Sequence, residues 1–379
     1  MNKPDIEVSL VLPCLNEEEG IRVCIEKAKK VFSEQNIEAE IVVVDNGSTD
    51  KSPQIASELG ARVISQPVRG YGAAYIEGLR QAKGKYIIIA DADDTYDLGE
   101  IPKFLKFLRQ GYEFVIGDRF KGKMYDKSMP WANRYIGNPI LSGLCRLFFG
   151  VRFSDIHCGM RGFTKEAYQK MNLKCLGMEF ATEMVMEALQ KKLRQTEIPI
   201  DYYPRKGDSK LRRLPDAWRH MRFMFIFCPT WLYFSPGLFI AGFGLLVLTL
   251  ILQGPFLFLG REWDIHMMVF GSLLSILGWY ILNLGVYAKT FAARQGYLPY
   301  DPIMRFLSEK FKLELGILIG AIIFAIGLGV NISIFLEWWQ KSFGALYRIR
   351  EAIFAMTFMI LGLQTVFSSF FVSLLLIKR

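Results

Sequence analysis

Four long stretches in the C-terminal part of this chain carry no charged residue: Leu232 to Gln253, Met267 to Ala288, Leu315 to Leu336 and Ala352 to Ile377. Each is long enough to cross the hydrocarbon core of a bilayer as a helix, which takes about 20 residues. A backbone inside hydrocarbon must satisfy its own hydrogen bonds, so such runs are constrained to be helical. The chain is therefore expected to be an integral membrane protein with four spans, at about residues 232–253, 267–288, 315–336 and 352–377. No Asp, Glu, Lys, Arg or His lies within those limits, which argues against the proton relays and ion sites of many pumps and transporters.

Basic residues set the orientation. The loop after the first span holds only Arg261, whereas the loop after the second holds Lys289, Arg294, Arg305, Lys310 and Lys312, and the chain ends in Lys378-Arg379. Loop two and both termini are expected in the cytoplasm; Lys341, Arg348 and Arg350 in the third loop dilute the bias. No signal peptide is read at the start, where Lys3, Asp5 and Glu7 precede an apolar run only as long as a buried strand. The formal net charge of +9 suits nucleic acid or an anionic membrane surface, and the long apolar runs favour the membrane over nucleic acid. Six scattered cysteines (Cys14, Cys24, Cys145, Cys158, Cys175 and Cys228) form no Cys-x-x-Cys pair and are expected to be reduced and structural.

Ahead of the first span, residues 211–230 mix Arg212, Arg213, Arg219 and Arg222 with aromatic and aliphatic side chains. That mixture predicts an amphipathic helix lying in the membrane interface. Trp131 to Phe149, with Arg134, Arg146 and a Leu/Ile/Phe face, is a second such helix, for which packing on the domain core is an equal alternative. The organisation expected is a cytoplasmic domain over 1–210, an interfacial helix over 211–230 and an all-α transmembrane domain over 231–379.

In the first of these, unbroken apolar runs alternate with helical patterns: Val8 to Leu12, then Glu18 to Phe32; Ile41 to Val44, then Lys51 to Leu59; Arg62 to Ile64, then Tyr71 to Ala82; then Tyr86 to Ala90. Val/Ile-rich runs without polar alternation mark strands buried on both faces, and their alternation with helices predicts an α/β domain on a parallel sheet. Ligands bind such sheets beyond the carboxyl ends of the strands. Those ends read Pro13-Cys-Leu-Asn16-Glu17, Asp45-Asn-Gly-Ser-Thr-Asp50 and Asp91-Ala-Asp93-Asp94-Thr95-Tyr-Asp97.

Acidic groups alone repel a phosphorylated substrate, so a divalent cation is the natural intermediary. Asp91 and Asp93 supply hard oxygen ligands suited to Mg²⁺ or Mn²⁺ bridging a diphosphate, where the ion offsets charge on the departing nucleoside diphosphate. No Gly-x-Gly-x-x-Gly follows the first strand, and Arg69-Gly-Tyr-Gly72 comes too late for a dinucleotide fingerprint. No phosphate-loop motif of an ATPase or kinase occurs either.

The three polar strand ends, in this order, resemble family 2 inverting glycosyltransferases of the GT-A fold. Gly117-Asp-Arg119-Phe, His157-Cys-Gly-Met-Arg161-Gly-Phe, Met178-Glu179-Phe-Ala-Thr-Glu183 and Tyr203-Pro-Arg205-Lys-Gly-Asp-Ser209-Lys210-Leu narrow the resemblance to the dolichyl-phosphate mannose synthase and polyprenyl-phosphate glucosyltransferase branch, over roughly residues 6–225. The resemblance implies that Pro13, Asn16, Glu17, Asp45 and Ala92 belong to the nucleotide-sugar site, and that Asp91 and Asp93 serve the diphosphate and metal. Thr95 stands where relatives of the archaeal mannose synthase often carry a metal-ligating Gln, and Thr95, a water, Asp94 or Asp97 is left to complete the shell.

A lipid phosphate is already an anion near neutral pH and needs no strong general base; it needs to be held in line with the anomeric carbon. Arg119, Arg134, Arg205, Ser209 and Lys210 are the candidate acceptor-phosphate contacts, Arg being able to grip two oxygens at once. Asp93, Arg119 and Arg205 are the expected catalytic set. Glu179 and Glu183, four apart, could orient sugar hydroxyls or serve a structural salt bridge, and His157 is assigned no catalytic role. Lys121 to Pro130 is read as a loop that closes over the substrates.

The activity expected is inverting transfer of a hexose from UDP-glucose or GDP-mannose to polyprenyl or dolichyl phosphate, by a protein that related enzymes suggest is a homo-oligomer. A processive polysaccharide synthase would carry a Gln-x-x-Arg-Trp motif, which is absent. A tethered transferase for another acceptor, or a non-catalytic lipid-sugar carrier, are the remaining alternatives.

Overall fold

The computed structural model describes residues 6–207, 213–294, 298, 302–306 and 313–377. The chain forms two units, Met1–Met224 and Phe225–Arg379.

The first unit is built on a seven-stranded sheet: β1 (Val8–Cys14), β2 (Ala39–Asp45), β3 (Arg62–Ser65), β4 (Tyr86–Ile89), β5 (Phe114–Asp118), β6 (Arg161–Thr164) and β7 (Gln195–Pro199), in the order β3-β2-β1-β4-β6-β5-β7. The four strands read from the apolar runs form within two residues of expectation. Residues such as Leu10, Val11, Leu12, Val42, Val43, Ile87 and Ile88 are buried, as strands covered on both faces by helices must be. The covering helices include α1 (Glu18–Glu34), α2 (Ser52–Glu58), α3 (Tyr71–Gln81) and α4 (Ile101–Arg109).

One expectation needs correction. The sheet is mixed, because β6 runs antiparallel to both β4 and β5. The reason is the long excursion after β5, which contains α5 (Asn138–Phe149) and brings the chain back into the sheet from the opposite end. Gly162 permits this insertion, since a Cβ there would meet Ile88 Cδ1 at 2.8 Å. After β6 come α6 (Lys165–Met171) and α7 (Phe180–Gln190), and α8 (Arg213–Ile226) follows β7.

α5 has a double face: Leu141, Ser142 and Cys145 are buried, while Ile140 and Leu147, with Trp131, Tyr135 and Ile136 just before it, are exposed. Both packing on the core and an outward apolar face are thus present. On α8, His220, Phe223 and Met224 are buried and Trp218 is exposed. Lys121 to Pro130 is tied down at its start: the Lys123 N–H donates to Asp201 Oδ1 at 2.9 Å, the Tyr125 N–H to the Tyr202 carbonyl at 3.0 Å, and Tyr125 stacks on Tyr203. All six cysteines are free thiols.

The second unit contains α9 (Ser235–Ile251), a short hairpin of β8 (Phe256–Phe258) and β9 (Arg261–Trp263), α10 (Ile265–Arg294), α11 (Pro302–Arg305), α12 (Leu313–Gln340) and α13 (Ile349–Leu376). Among the described residues, four helices are long and apolar enough to cross a membrane: Thr230–Ile251, Ile265–Arg294, Leu313–Gln340 and Ile349–Leu376. The second exceeds its expected limits and carries Lys289 near its end, buried, with Nζ 3.4 Å from Thr230 Oγ1. Small residues let these helices meet closely. A Cβ on Gly278 would lie 2.2 Å from the Ala241 nitrogen, and one on Gly362 2.5 Å from the Phe324 nitrogen. Helices α10 and α13 are joined by Ser272–Thr357 (2.6 Å), Trp279–Thr365 (3.1 Å) and Tyr287–Ser368 (2.5 Å) hydrogen bonds.

Candidate active site

The carboxyl ends of β1, β2 and β4 are neighbours by register: Cys14 pairs with Asp45, and Val11 with Ile89. The polar runs that follow these strands therefore meet. Those after β1 and β2 are stitched into one turn. The Thr49 N–H donates to Asn16 Oδ1 (2.7 Å), the Glu17 N–H to Ser52 Oγ (2.8 Å) and the Asn16 N–H to Ser48 Oγ (3.0 Å). Asn16 thus spends its side-chain oxygen on the fold of the crevice wall. Asp45 Oδ1 accepts from the Ser48 N–H (3.0 Å) in a local turn. The start of α1 lies directly on the acidic motif: a Cβ on Gly20 would meet the Ala92 carbonyl at 2.5 Å.

Asp91 and Asp93 sit just beyond β4. Burial first, and the neighbouring Asp93 second, push the Asp91 carboxyl up to about 6. Asp93 is buried; its Oδ1 accepts from the Thr95 hydroxyl (2.6 Å) and N–H (3.1 Å), and its Oδ2 from Arg205 Nη1 at 2.5 Å. The other arm of Arg205, Nη2, donates to Glu17 Oε1. One guanidinium, 188 residues from Glu17 and 112 from Asp93 in sequence, thereby holds together the ends of β1 and β4. Thr95, expected as a metal ligand, donates its hydroxyl proton to Asp93 and orients that carboxylate. Asp94 is taken by Lys27 (2.7 Å) and Lys206 (2.9 Å), and Asp97 caps the following turn through the Gly99 N–H (2.9 Å). Both oxygens of Asp94 are thus engaged by lysines, whereas Asp97 is engaged through Oδ1.

Arg119 lies deeper than a phosphate clamp gripping with two nitrogens would. It is 6% exposed, and Nε and Nη2 donate to Asp155 at 2.6 and 2.8 Å, with its ring-facing side 5.1 Å from the Tyr202 centroid. Nη1 alone has no protein partner among the described residues. Arg134 stands at a wide turn before α5, over the Tyr135 ring at 5.3 Å, with no carboxylate partner among the described residues. Ser209 and Lys210 lie outside the described residues.

Glu183 serves the fold, accepting from the N–H groups of Lys174 (3.0 Å) and Cys175 (2.9 Å). His157 packs edge-on against His220 with centroids 4.6 Å apart, and burial followed by His220 pushes it well below the usual range. A neutral packed histidine fits its lack of an assigned role.

Several residues of this site were not singled out from sequence. Tyr71 and Tyr75 donate to Asp91, Asp155 holds Arg119, and Lys27 and Lys206 hold Asp94. Arg69, exposed, lies with Nε and Nη2 against Gly47 in the turn after β2. The available signal for Asp155 was an acid beside the apolar residues of the mixed segment Val151-Arg-Phe-Ser-Asp-Ile156. The tyrosines gave none beyond ordinary helix periodicity.

The family model described as glycosyl transferase family 2 matches residues 9–171, and that for the glycosyltransferase family 2 C-terminal transmembrane region matches residues 286–376. The low-salt glycan biosynthesis hexosyltransferase of Haloferax volcanii is 38% identical over 364 residues, covering 96% of this chain and 87% of that one. The dolichyl-phosphate hexose transferase of the same organism is 32% identical, over 54% of this chain and 86% of its own. Among solved structures, glucosyl-3-phosphoglycerate synthase from Mycobacterium tuberculosis, in complex with Mn²⁺, uridine diphosphate and glucosyl-3-phosphoglycerate, aligns with a TM-score of 0.46 at 22% identity, over 58% of this chain and 77% of that one.

A mixed α/β sheet with acidic strand ends, joined to apolar helices of spanning length, is the architecture of a membrane glycosyltransferase. The chain belongs to glycosyl transferase family 2.

Proposed function

We propose that this glycosyltransferase moves a hexose, with inversion, from UDP-glucose or GDP-mannose to polyprenyl or dolichyl phosphate, with its catalytic unit and both termini on the cytoplasmic side. The observation that carries the proposal is Arg205 spanning Glu17 and Asp93 beside Asp91. A cation held between two acids can exchange its carboxylates for phosphate oxygens at the point where the donor's charge enters. The name of the Haloferax dolichyl-phosphate hexose transferase supports the acceptor. So do the exposed Trp131, Tyr135, Ile136 and Ile140 beside Arg134, an apolar face with a cation at its edge, suited to the headgroup region of a bilayer.

Asp91 and Asp93 suit Mg²⁺ or Mn²⁺. Burial first and the neighbouring Asp93 second raise the Asp91 carboxyl, and a bound cation would offset both. No cluster of three or more acidic, His or Cys residues capable of holding a metal exists among the described residues, which fits an ion whose remaining ligands are donor phosphates and water. When bound, the ion supplies charge neutralisation for the departing diphosphate. The chain's own part is positional. Asp45 and the Pro13–Glu17 turn hold the nucleoside, Arg205 and Arg119 Nη1 meet phosphate oxygens, and the acceptor phosphate attacks without a general base.

The test is transfer of radiolabel from a panel of UDP- and GDP-sugars to a short polyprenyl phosphate, read by extraction into organic solvent. Label in the organic phase with one donor, abolished by EDTA, is expected. Label only on a water-soluble acceptor, or nucleotide binding without any transfer, would replace the proposal with the tethered-transferase or carrier alternatives. Metal binding also has an expected pH dependence. Metal ligation needs the Asp91 carboxylate, whose pKa is about 6, so protons compete below that value. Mn²⁺ affinity in the presence of nucleotide should weaken as pH falls from 7 to 5, with proton release on binding at pH 6; calorimetry in buffers of different ionisation enthalpy measures both.

A further inference from the structure

Two sequence motifs have no part in the chemistry above: Arg69-Gly-Tyr-Gly72, excluded as a dinucleotide fingerprint, and the segment from Met178 to Glu183. In the structure they form one support. The Gly70 N–H donates to Asn46 Oδ1 at 2.7 Å, and a Cβ on Gly70 (φ 148°) or Gly72 would lie 2.2 or 2.1 Å from the carbonyl oxygens of Leu176 and Cys175. The Ala73 N–H donates to the Leu176 carbonyl at 3.0 Å, and Glu183 holds the 174–175 backbone from the other side. Only glycine admits so close an approach, and the backbone on both sides of Tyr71, at the start of α3, is thereby held against the 175–176 segment.

From there the Tyr71 hydroxyl donates to Asp91 Oδ1 at 3.0 Å, and the Tyr75 hydroxyl, one turn on, approaches the same oxygen at 3.4 Å. Tyr75 is fully buried, stacked on Phe180 with centroids 5.4 Å apart and edge-on to Tyr71 at 4.9 Å. The opposite oxygen, Oδ2, lies where a Cβ on Gly159 would come within 2.7 Å of it, and the Gly159 N–H is fixed by the Tyr96 hydroxyl at 2.7 Å. The Asp91 carboxylate is cradled on two sides. Its donors are also chemically distinct from those on the neighbouring acids. Asp93 and Asp94 are held by Arg205, Lys27 and Lys206, whereas phenols orient a carboxylate without cancelling the charge that a cation needs.

We propose that Tyr71, backed by Tyr75 and by the bare Cα of Gly159, is a positioning residue that presets the rotation of the Asp91 carboxylate for a divalent cation shared with the donor diphosphate. The proposal rests on the metal-dependent reading given above. Groups that fix a ligand's orientation commonly change metal affinity by ten- to a hundredfold when removed.

The test is a titration of full-length protein in detergent with Mn²⁺, in the presence of UDP or GDP, following the free-ion signal by electron paramagnetic resonance. Tyr71→Phe removes one oxygen atom and is expected to weaken Mn²⁺ binding by about tenfold, with nucleotide binding in EDTA unchanged and the unfolding midpoint lowered by a few degrees at most. Tyr75→Phe, from its longer contact, should do less. Gly159→Ala presses on Oδ2 from the opposite side while leaving both phenols in place; it should also weaken Mn²⁺, and it carries the test if Tyr71→Phe does not fold. Wild-type Mn²⁺ affinity in Tyr71→Phe and Gly159→Ala overturns the positioning role while leaving the metal reading intact. Absence of Mn²⁺ uptake by the unaltered protein with either nucleotide overturns both.

Discussion

Asp93→Ala is expected to lower sugar transfer by about a thousandfold, roughly 4 kcal/mol of transition-state stabilisation, in a protein that folds as before. Two losses combine. The proposed cation loses one of its two carboxylates, and Arg205 loses the acid that holds Nη1 at 2.5 Å, leaving it anchored through Glu17 alone. The fold should tolerate the change, because Asp93 crowds Asp91, and removing one of two neighbouring like charges relieves repulsion. Thr95 loses the carboxylate acceptor of its hydroxyl, a hydrogen bond to a charged group of about 2 kcal/mol that the relief of repulsion offsets in part. Organic-phase label per mole of folded protein, alongside a circular-dichroism melt, measures both effects. Transfer within tenfold of the unaltered protein would remove Asp93 from the chemistry and shift attention to Glu17, the other acid on Arg205.

Much of this architecture was legible because its signals are local. A strand buried on both faces must be apolar throughout, so β1, β2 and β4 were visible as unbroken runs, and the polar residues after them could be named one by one. Asp91, Asp93, Glu17 and Arg205 do meet. What sequence did not show were choices made by distant parts of the chain. Whether Arg119 faces a ligand or a protein acid depends on Asp155, 36 residues away, and no local periodicity encodes that. The direction of β6 depends on how a long excursion re-enters the sheet. Tyr71 and Tyr75 read as an ordinary buried helix face, and only the arrival of Asp91 20 residues later turns one hydroxyl into a support for the acidic motif. The apolar window ended α10 at Ala288, whereas the helix continues to Arg294, since a helix does not stop where hydrophobicity stops.

Asp155→Ala should destabilise the catalytic unit by about 3–5 kcal/mol. The Asp155 side chain is fully buried and that of Arg119 is 7% exposed, and they are joined at 2.6 Å. Deleting the acid strands a buried guanidinium, which costs more than the pair contributes, because desolvation of Arg119 is then uncompensated. For a unit of this size the unfolding midpoint should fall by roughly 10 °C. Removing both charges in Asp155→Leu with Arg119→Met should recover most of that loss, since apolar side chains of similar volume suit a buried site. The pair of variants then separates structure from chemistry. If Arg119 Nη1 meets a phosphate oxygen, the double variant will be stable yet slow in transfer, with its deficit growing on the acceptor rather than the donor. If Arg119 only braces the segment around Asp155, the double variant will recover transfer along with stability, and Arg205 will be left as the phosphate-facing cation of the site.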